Sequence, residues 1–193
     1  MRRASLVFLF GAVAVTSIAA LTRARAQAAP DTSGDFAVIA RVLQHPRCQN
    51  CHIPGDAPLQ FDQGLPHAQN VRRGPKGEGA PGLPCSTCHA AKNPPPSYGQ
   101  HMPPGAPNWS LPPPEEKMVF IGLTAADLCS RIKDPQQNGG RDLEEMFRHI
   151  DQDKIVLWGW RPGLGRAPVD VPHAEFSAAF RRWIDAGAPC PSR

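Results

Sequence analysis

The sequence predicts a mainly α fold with extensive irregular loops, in a single domain that follows an N-terminal leader. Three observations lead there. Helical apolar spacing occurs only near residue 40 and again after residue 114. Between these stretches, residues 46–114 hold 16 of the chain's 23 prolines and 8 of its 17 glycines, and proline lacks the donor that helix and sheet ladders need. At 193 residues with 41% hydrophobic and 7% aromatic content, the chain suffices for one core and falls short of two.

Residues 1–26 read as a secretory signal peptide. Arg2 and Arg3 are the positive start, Leu6 to Leu21 is an uncharged apolar run, and Ala24-Arg25-Ala26 is an A-x-A-type cleavage site. The run is short for a membrane span and diluted by Ala, Gly, Ser and Thr. Cleavage after Ala26 and no stable membrane span thereafter are therefore expected, with the mature protein in the periplasm. Four of the 21 basic residues (Arg2, Arg3, Arg23, Arg25) go with the leader, so 17 basic residues face 17 acidic ones in residues 27–193. The net charge of +4 thus gives no reason to expect a nucleic-acid partner.

In the domain at 27–193, Phe36, Ile39, Ala40 and Leu43 predict a helix over 35–45, with Asp31, Thr32 or Ser33 as its cap and Pro46 as its stop. The region 46–114 has the composition of a disordered chain unless a bound apolar group provides its core. In the part spanning 115–193, Thr124 and Asp127 suggest a capping box opening a helix through Leu128, Cys129 and Ile132. Leu143, Met146, Phe147 and Ile150 form a second helical stripe, and Trp158 to Gly163 form an aromatic turn. Phe176, Phe180, Trp183 and Ile184 mark a last helix ending at Gly187.

Cys48-Gln49-Asn50-Cys51-His52 and Cys85-Ser86-Thr87-Cys88-His89 are two copies of C-x-x-C-H, the attachment signal for c-type haem. Residues i, i+3 and i+4 share one face of a helical turn. Two thiols can then bond the vinyl groups of one porphyrin while the adjacent imidazole reaches its iron. A zinc ribbon, a thioredoxin-like pair and plain disulfides each leave the two histidines unexplained. Two covalent haem c groups are expected, on Cys48, Cys51, Cys85 and Cys88, with His52 and His89 as proximal ligands. Their apolar discs would give residues 46–114 the interior that its side chains lack. Because haem is attached to an unfolded exported chain, a general secretory route is expected. The motifs lie too close for two separate haem domains, so both haems belong to one dihaem cytochrome c-like domain.

For the far side of each iron the sequence offers His67, in the loop between the motifs, and His101. Met102, beside His101, and His149, on an apolar helix face, remain alternatives. His45 and His173 read as structural, and Met118 and Met146 as core. Cys129 and Cys190 are left over, and in an oxidising compartment they are expected to pair. Closing that loop constrains the unfolded chain by roughly 4 kcal/mol.

The two haem motifs, Pro104-Gly-Ala-Pro-Asn-Trp109, Trp158-Gly-Trp-Arg-Pro-Gly163 and Gly187-Ala-Pro-Cys190-Pro191 together resemble small periplasmic dihaem cytochromes. Some of these are labelled as the cytochrome subunit of isoquinoline 1-oxidoreductase-type molybdenum hydroxylases. The resemblance implies an electron carrier, not an enzyme, taking electrons from a dehydrogenase or molybdenum hydroxylase and passing them to a downstream acceptor. None of the hydroxylase's own cofactor motifs occurs here. Haem propionates would make the neutral polypeptide acidic and favour redox partner proteins with a basic patch. A small dihaem peroxidase-like enzyme and a haem-based gas sensor are the alternatives; both need an open iron, and the chain is short for the two haem domains of the first and shows no output module for the second.

Overall fold

A computed structural model describes residues 33–192; the leader, its cleavage site, and the candidate caps Asp31 and Thr32 lie outside the described residues. Six α-helices and four two-residue strands appear among them. The helices are α1 (Ser33–Leu43), α2 (Pro46–Gln49), α3 (Ala125–Lys133), α4 (Leu143–Gln152), α5 (Lys154–Leu157) and α6 (His173–Asp185). The mainly α expectation and the irregular stretch at 46–114 both hold. No helix among the described residues is long and apolar enough to cross a membrane.

The core is built by the helices. Phe36, Ile39 and Leu43 of α1 pack with Leu128, Cys129 and Ile132 of α3, Met146 and Ile150 of α4, and Phe176, Phe180 and Trp183 of α6. Phe36 lies 5.3 Å from Trp183 between ring centroids, and Trp183 lies the same distance from Phe180. Arg182 of α6 ties back to Asp35 of α1 at 2.6 Å.

Local chemistry sets the helix ends. α1 stops at Leu43 rather than 45, and Pro46 opens α2 as its first residue, because proline's fixed φ and missing N–H suit the first turn of a helix. His45 caps α2, its Nδ1 accepting the Arg47 N–H at 3.2 Å. Thr124 caps α3 through the Asp127 N–H, but the Asp127 carboxylate takes the Thr124 hydroxyl rather than completing a reciprocal box. The full capping box belongs to Asp142 and Glu145 at the start of α4. α6 ends in a Schellman arrangement: Gly187, at φ 86°, donates to Ile184, and Ala188 donates to Trp183. The Cys129–Cys190 disulfide closes a 61-residue separation just beyond it, and the Trp183 indole donates to Pro189 at 2.8 Å.

The 46–114 segment is built differently. Prolines aside, the buried apolar side chains it contributes among the described residues are Ile53, Ala106 and Leu111. Two hairpins, β1 (Leu59–Gln60) with β2 (Leu65–Pro66) and β3 (Gly79–Ala80) with β4 (Leu83–Pro84), provide its regular pairing. Polar struts do much of the rest. Arg73, wholly buried, donates to the carbonyls of Pro112, Gly55 and Ile53, and Asn50 donates to Phe61 at 2.8 Å. Gly77, at φ 80°, lets Leu111 approach so closely that a Cβ would strike the Leu111 carbonyl.

Candidate cofactor sites

The two C-x-x-C-H copies open onto two neighbouring cavities, with Cys51 on the lining of both. The first cavity, about 270 Å³, is bounded by Cys48, Cys51 and His52 and by Met118, Phe120, Ile132, Met146, Ile150, Phe176 and Phe180 of the helical core. The second, about 590 Å³, is bounded by Cys85, Cys88 and His89 with Leu59, Phe61, Val71, Leu83, Pro103 and Pro104 of the loop segment.

The first motif starts in α2 and continues as a turn, with the Cys51 and His52 N–H groups bonding the Cys48 carbonyl at 3.2 and 3.1 Å. The second follows β4 directly. A 3₁₀ turn over Cys85–Thr87 ends with the Cys88 and His89 N–H groups on the Cys85 carbonyl at 3.2 and 2.9 Å. Both turns put the two thiols and the imidazole of a motif on one side. None of the four thiols is disulfide-bonded.

The two imidazoles are held alike. His52 Nδ1–H donates to the Met118 carbonyl at 3.0 Å, with that of Lys117 at 3.3 Å, and the ring stacks on Phe120 at 4.1 Å. His89 Nδ1–H donates to the Pro104 carbonyl at 2.8 Å, and the ring stacks on Trp109 at 4.4 Å with planes 3° apart. A carbonyl only accepts, so Nδ1 carries the proton and Nε2 keeps its lone pair. Burial pushes the His52 pKa down to about 4, with the neighbouring His149 adding to the effect, and burial also lowers that of His89. Both rings are neutral at pH 7, as a metal-binding imidazole must be. Met118 holds its carbonyl in place at φ 45°, a sparsely populated conformation for a residue with a side chain.

The remaining candidates divide between the cavities. His149 lines the first, and its Nδ1 bonds Asp153 at 3.2 Å, one turn along the chain. His67 and His101 both line the second. The β1–β2 hairpin delivers His67, whose N–H bonds the Pro58 carbonyl; its Nδ1 lies 2.9 Å from the Ala68 carbonyl and its ring 6.1 Å from that of His89. His101, at φ 59°, meets the edge of Phe61 at 5.1 Å. Met102 is not among the residues lining either cavity; it is 36% exposed and its carbonyl accepts from Arg166. His45 and His173 keep to local roles, His173 bonding the Ile150 carbonyl at 3.0 Å.

Burial pushes the Cys48 and Cys51 thiols up to about 12 and 11 and raises Cys85, while Cys88 is exposed. Among the described residues no three His, Cys, Asp or Glu side chains gather closely enough to hold a bare metal ion. In a zinc ribbon the two cysteine pairs would converge on one ion; here Cys48 lines the first cavity, Cys85 and Cys88 line the second and Cys51 lines both, and they do not close into such a cluster.

Several site residues were not foreseen in this role. Trp109 and Trp158 line both cavities and meet edge-to-face at 4.9 Å, forming the wall between them. Asn93 fastens that wall, accepting from the Trp158 indole at 3.1 Å and from Gly105 at 3.0 Å while donating to Arg161 at 2.7 Å. The i, i+4 spacing of His149 and Asp153 was readable in the sequence. The carbonyls of Met118 and Pro104 carry no sequence signal. No protein-family model, no curated protein and no solved structure matches this chain.

Proposed function

We propose that this protein is an exported, periplasmic electron-transfer protein carrying two covalent c-type haems in one domain. The observation that carries the reading is the pairing of histidines: each cavity holds a C-x-x-C-H imidazole with Nδ1 committed to backbone and Nε2 free, and a second histidine on its lining. The His67 and His89 rings lie 6.1 Å apart on the lining of the second cavity, so both imidazoles would be at hand to hold an iron there.

The donor set fits haem on chemical grounds as well. Apolar walls suit a macrocycle, paired thiols suit two vinyl groups, and the hydrogen-bonded Nδ1 fixes tautomer and ring orientation. Cys48 and Cys51, with His52, would hold one haem; Cys85 and Cys88, with His89, would hold the other. His149, oriented by Asp153, would be the second histidine for the first haem, and His67 that for the second, with His101 as the competing choice there. Bound haem supplies a one-electron ferric/ferrous couple. The chain's own residues would hold and orient it, and Trp109 and Trp158 would form the wall between the two. Electrons would come from a dehydrogenase or molybdenum hydroxylase and leave to a downstream acceptor.

Mass spectrometry of the secreted protein from a haem-maturing host tests this directly. The expected mass is that of a chain starting at Gln27 plus two haems, with the spectrum of two six-coordinate low-spin centres. A colourless apoprotein mass refutes the proposal. A high-spin component binding carbon monoxide or peroxide supports a peroxidase-like enzyme or gas sensor instead.

A further inference from the structure

Where the two cavities share a wall, positive charge is in excess. Arg47, the residue before Cys48, lines both cavities, and its side chain is only 2% exposed. One terminal nitrogen donates to Asp62 at 2.5 Å, while its buried Nε has no partner. Its guanidinium carbon stands 5.8 Å from the centre of the Trp158 ring.

Asp62 is a divided partner, because its two carboxylate oxygens also accept the Ala167 N–H at 3.4 and 3.1 Å. Arg166 lines the second cavity from the same side, within electrostatic reach of both Arg47 and Asp62. Its guanidinium donates to the Met102 carbonyl at 2.7 Å. Two guanidinium groups therefore face one carboxylate beside an apolar cavity. An incompletely paired buried cation costs several kcal/mol, and a guanidinium fork is the side chain best matched to a second carboxylate.

We propose that Arg47, with Arg166 beside it, is the anchor for a carboxylate of the group bound in the second cavity, which for haem is a propionate. The inference rests on the dihaem reading and adds to it the direction in which the second haem points, with its acidic edge toward the Trp158 wall. The pair would also tune the haem, since a cation at the propionate disfavours the more positive ferric state.

The test uses the mature, haem-loaded protein and its variants R47Q, R166Q and D62N, in redox titrations that resolve the two haems and in resonance Raman spectra of the propionate bending band. R47Q is expected to lower the midpoint of the second haem by more than that of the first. A tenfold change in the ferric/ferrous ratio reads as 59 mV for a one-electron couple. The propionate band should move in the same variant. R166Q should shift that potential in the same direction by less, and D62N, which frees Arg47 for the propionate, should shift it upward. If Arg47 only pairs with Asp62, R47Q and D62N will lose equal stability with both potentials and the band unchanged, and the inference is overturned. Should R47Q fail to accumulate, unchanged potentials in both R166Q and D62N overturn it equally. Wild-type protein without haem refutes the dihaem reading, a result distinguishable from all of these.

Discussion

The two C-x-x-C-H motifs are nearly the same in sequence and sit in unlike surroundings. The first opens from a helix into the apolar helical core, with Met146, Ile150, Phe176 and Phe180 around its cavity. The second follows a two-residue strand into a cavity walled by loops and prolines, with Cys88 exposed. The contrast follows from where each motif falls along the chain. Residues 33–49 and 115–192 supply the helices, and the first motif begins inside one of them. Its cysteines are half-buried whereas Cys88 is exposed, which makes the first motif the inner of the two and the second the outer. Since potential depends on solvent exposure and hydrogen bonding at the haem, the two are expected to differ in potential, with the outer one exchanging electrons with partners.

Removing the cysteines of one motif at a time gives the largest expected effect. C85A/C88A should leave a protein with one haem by mass and near-native helical circular dichroism, because the helical core does not depend on the second cavity. C48A/C51A should lose haem and helical stability together. Equal behaviour of the two double variants would erase the distinction between inner and outer sites.

Next in size is the disulfide. Replacing Cys129 and Cys190 by serine should cost about 2–5 kcal/mol in denaturant unfolding without changing haem content, since the bridge staples α3 to the chain end beyond α6 and neither cysteine lines either cavity.

Acid should separate the sites in the haem-free chain. The His52 pKa falls from 6.5 to about 4 on folding, so the unfolded chain takes up a proton that the folded one refuses. Stability is fully present above pH 6.5 and declines as pH falls toward 4, by at most about 3 kcal/mol at 1.36 kcal/mol per unit. H52Q should flatten that slope in urea titrations. His89 is shifted in the same direction, and H89Q should flatten the slope less. The smallest effect is expected from D142A, which removes the α4 cap at a cost of about 1 kcal/mol. Thermal unfolding of the helical part should register it, while the second haem's spectrum stays unchanged.

Much of the helical part was legible because its signals are local. The stripes at Phe36 to Leu43, Leu143 to Ile150 and Phe176 to Ile184 marked helices, and Gly187 marked an end, since apolar period and a left-handed cap are properties of neighbouring residues. Pro46 misled for a related reason. A proline that stops one helix is also suited to start the next, and only the chain's direction after Gln44 separates the two. The Asp142–Glu145 box was visible in principle and passed over. The hairpins flanking the second motif, two residues per strand, leave too short a pattern to read.

The sequence by itself determined the chemistry at the motifs: thiols at i and i+3 and an imidazole at i+4 lie together on any helical turn, wherever the chain carries it. It also determined that residues 46–114 could not close an apolar core of their own. Only the tertiary structure decided that the motifs open onto two neighbouring cavities that share Cys51, that His149 lines one and His67 and His101 the other, and that Arg47 stands between them with one carboxylate to share. Those neighbours come from residues tens of positions apart, and their meeting depends on how helices and loops pack, which no local spacing encodes.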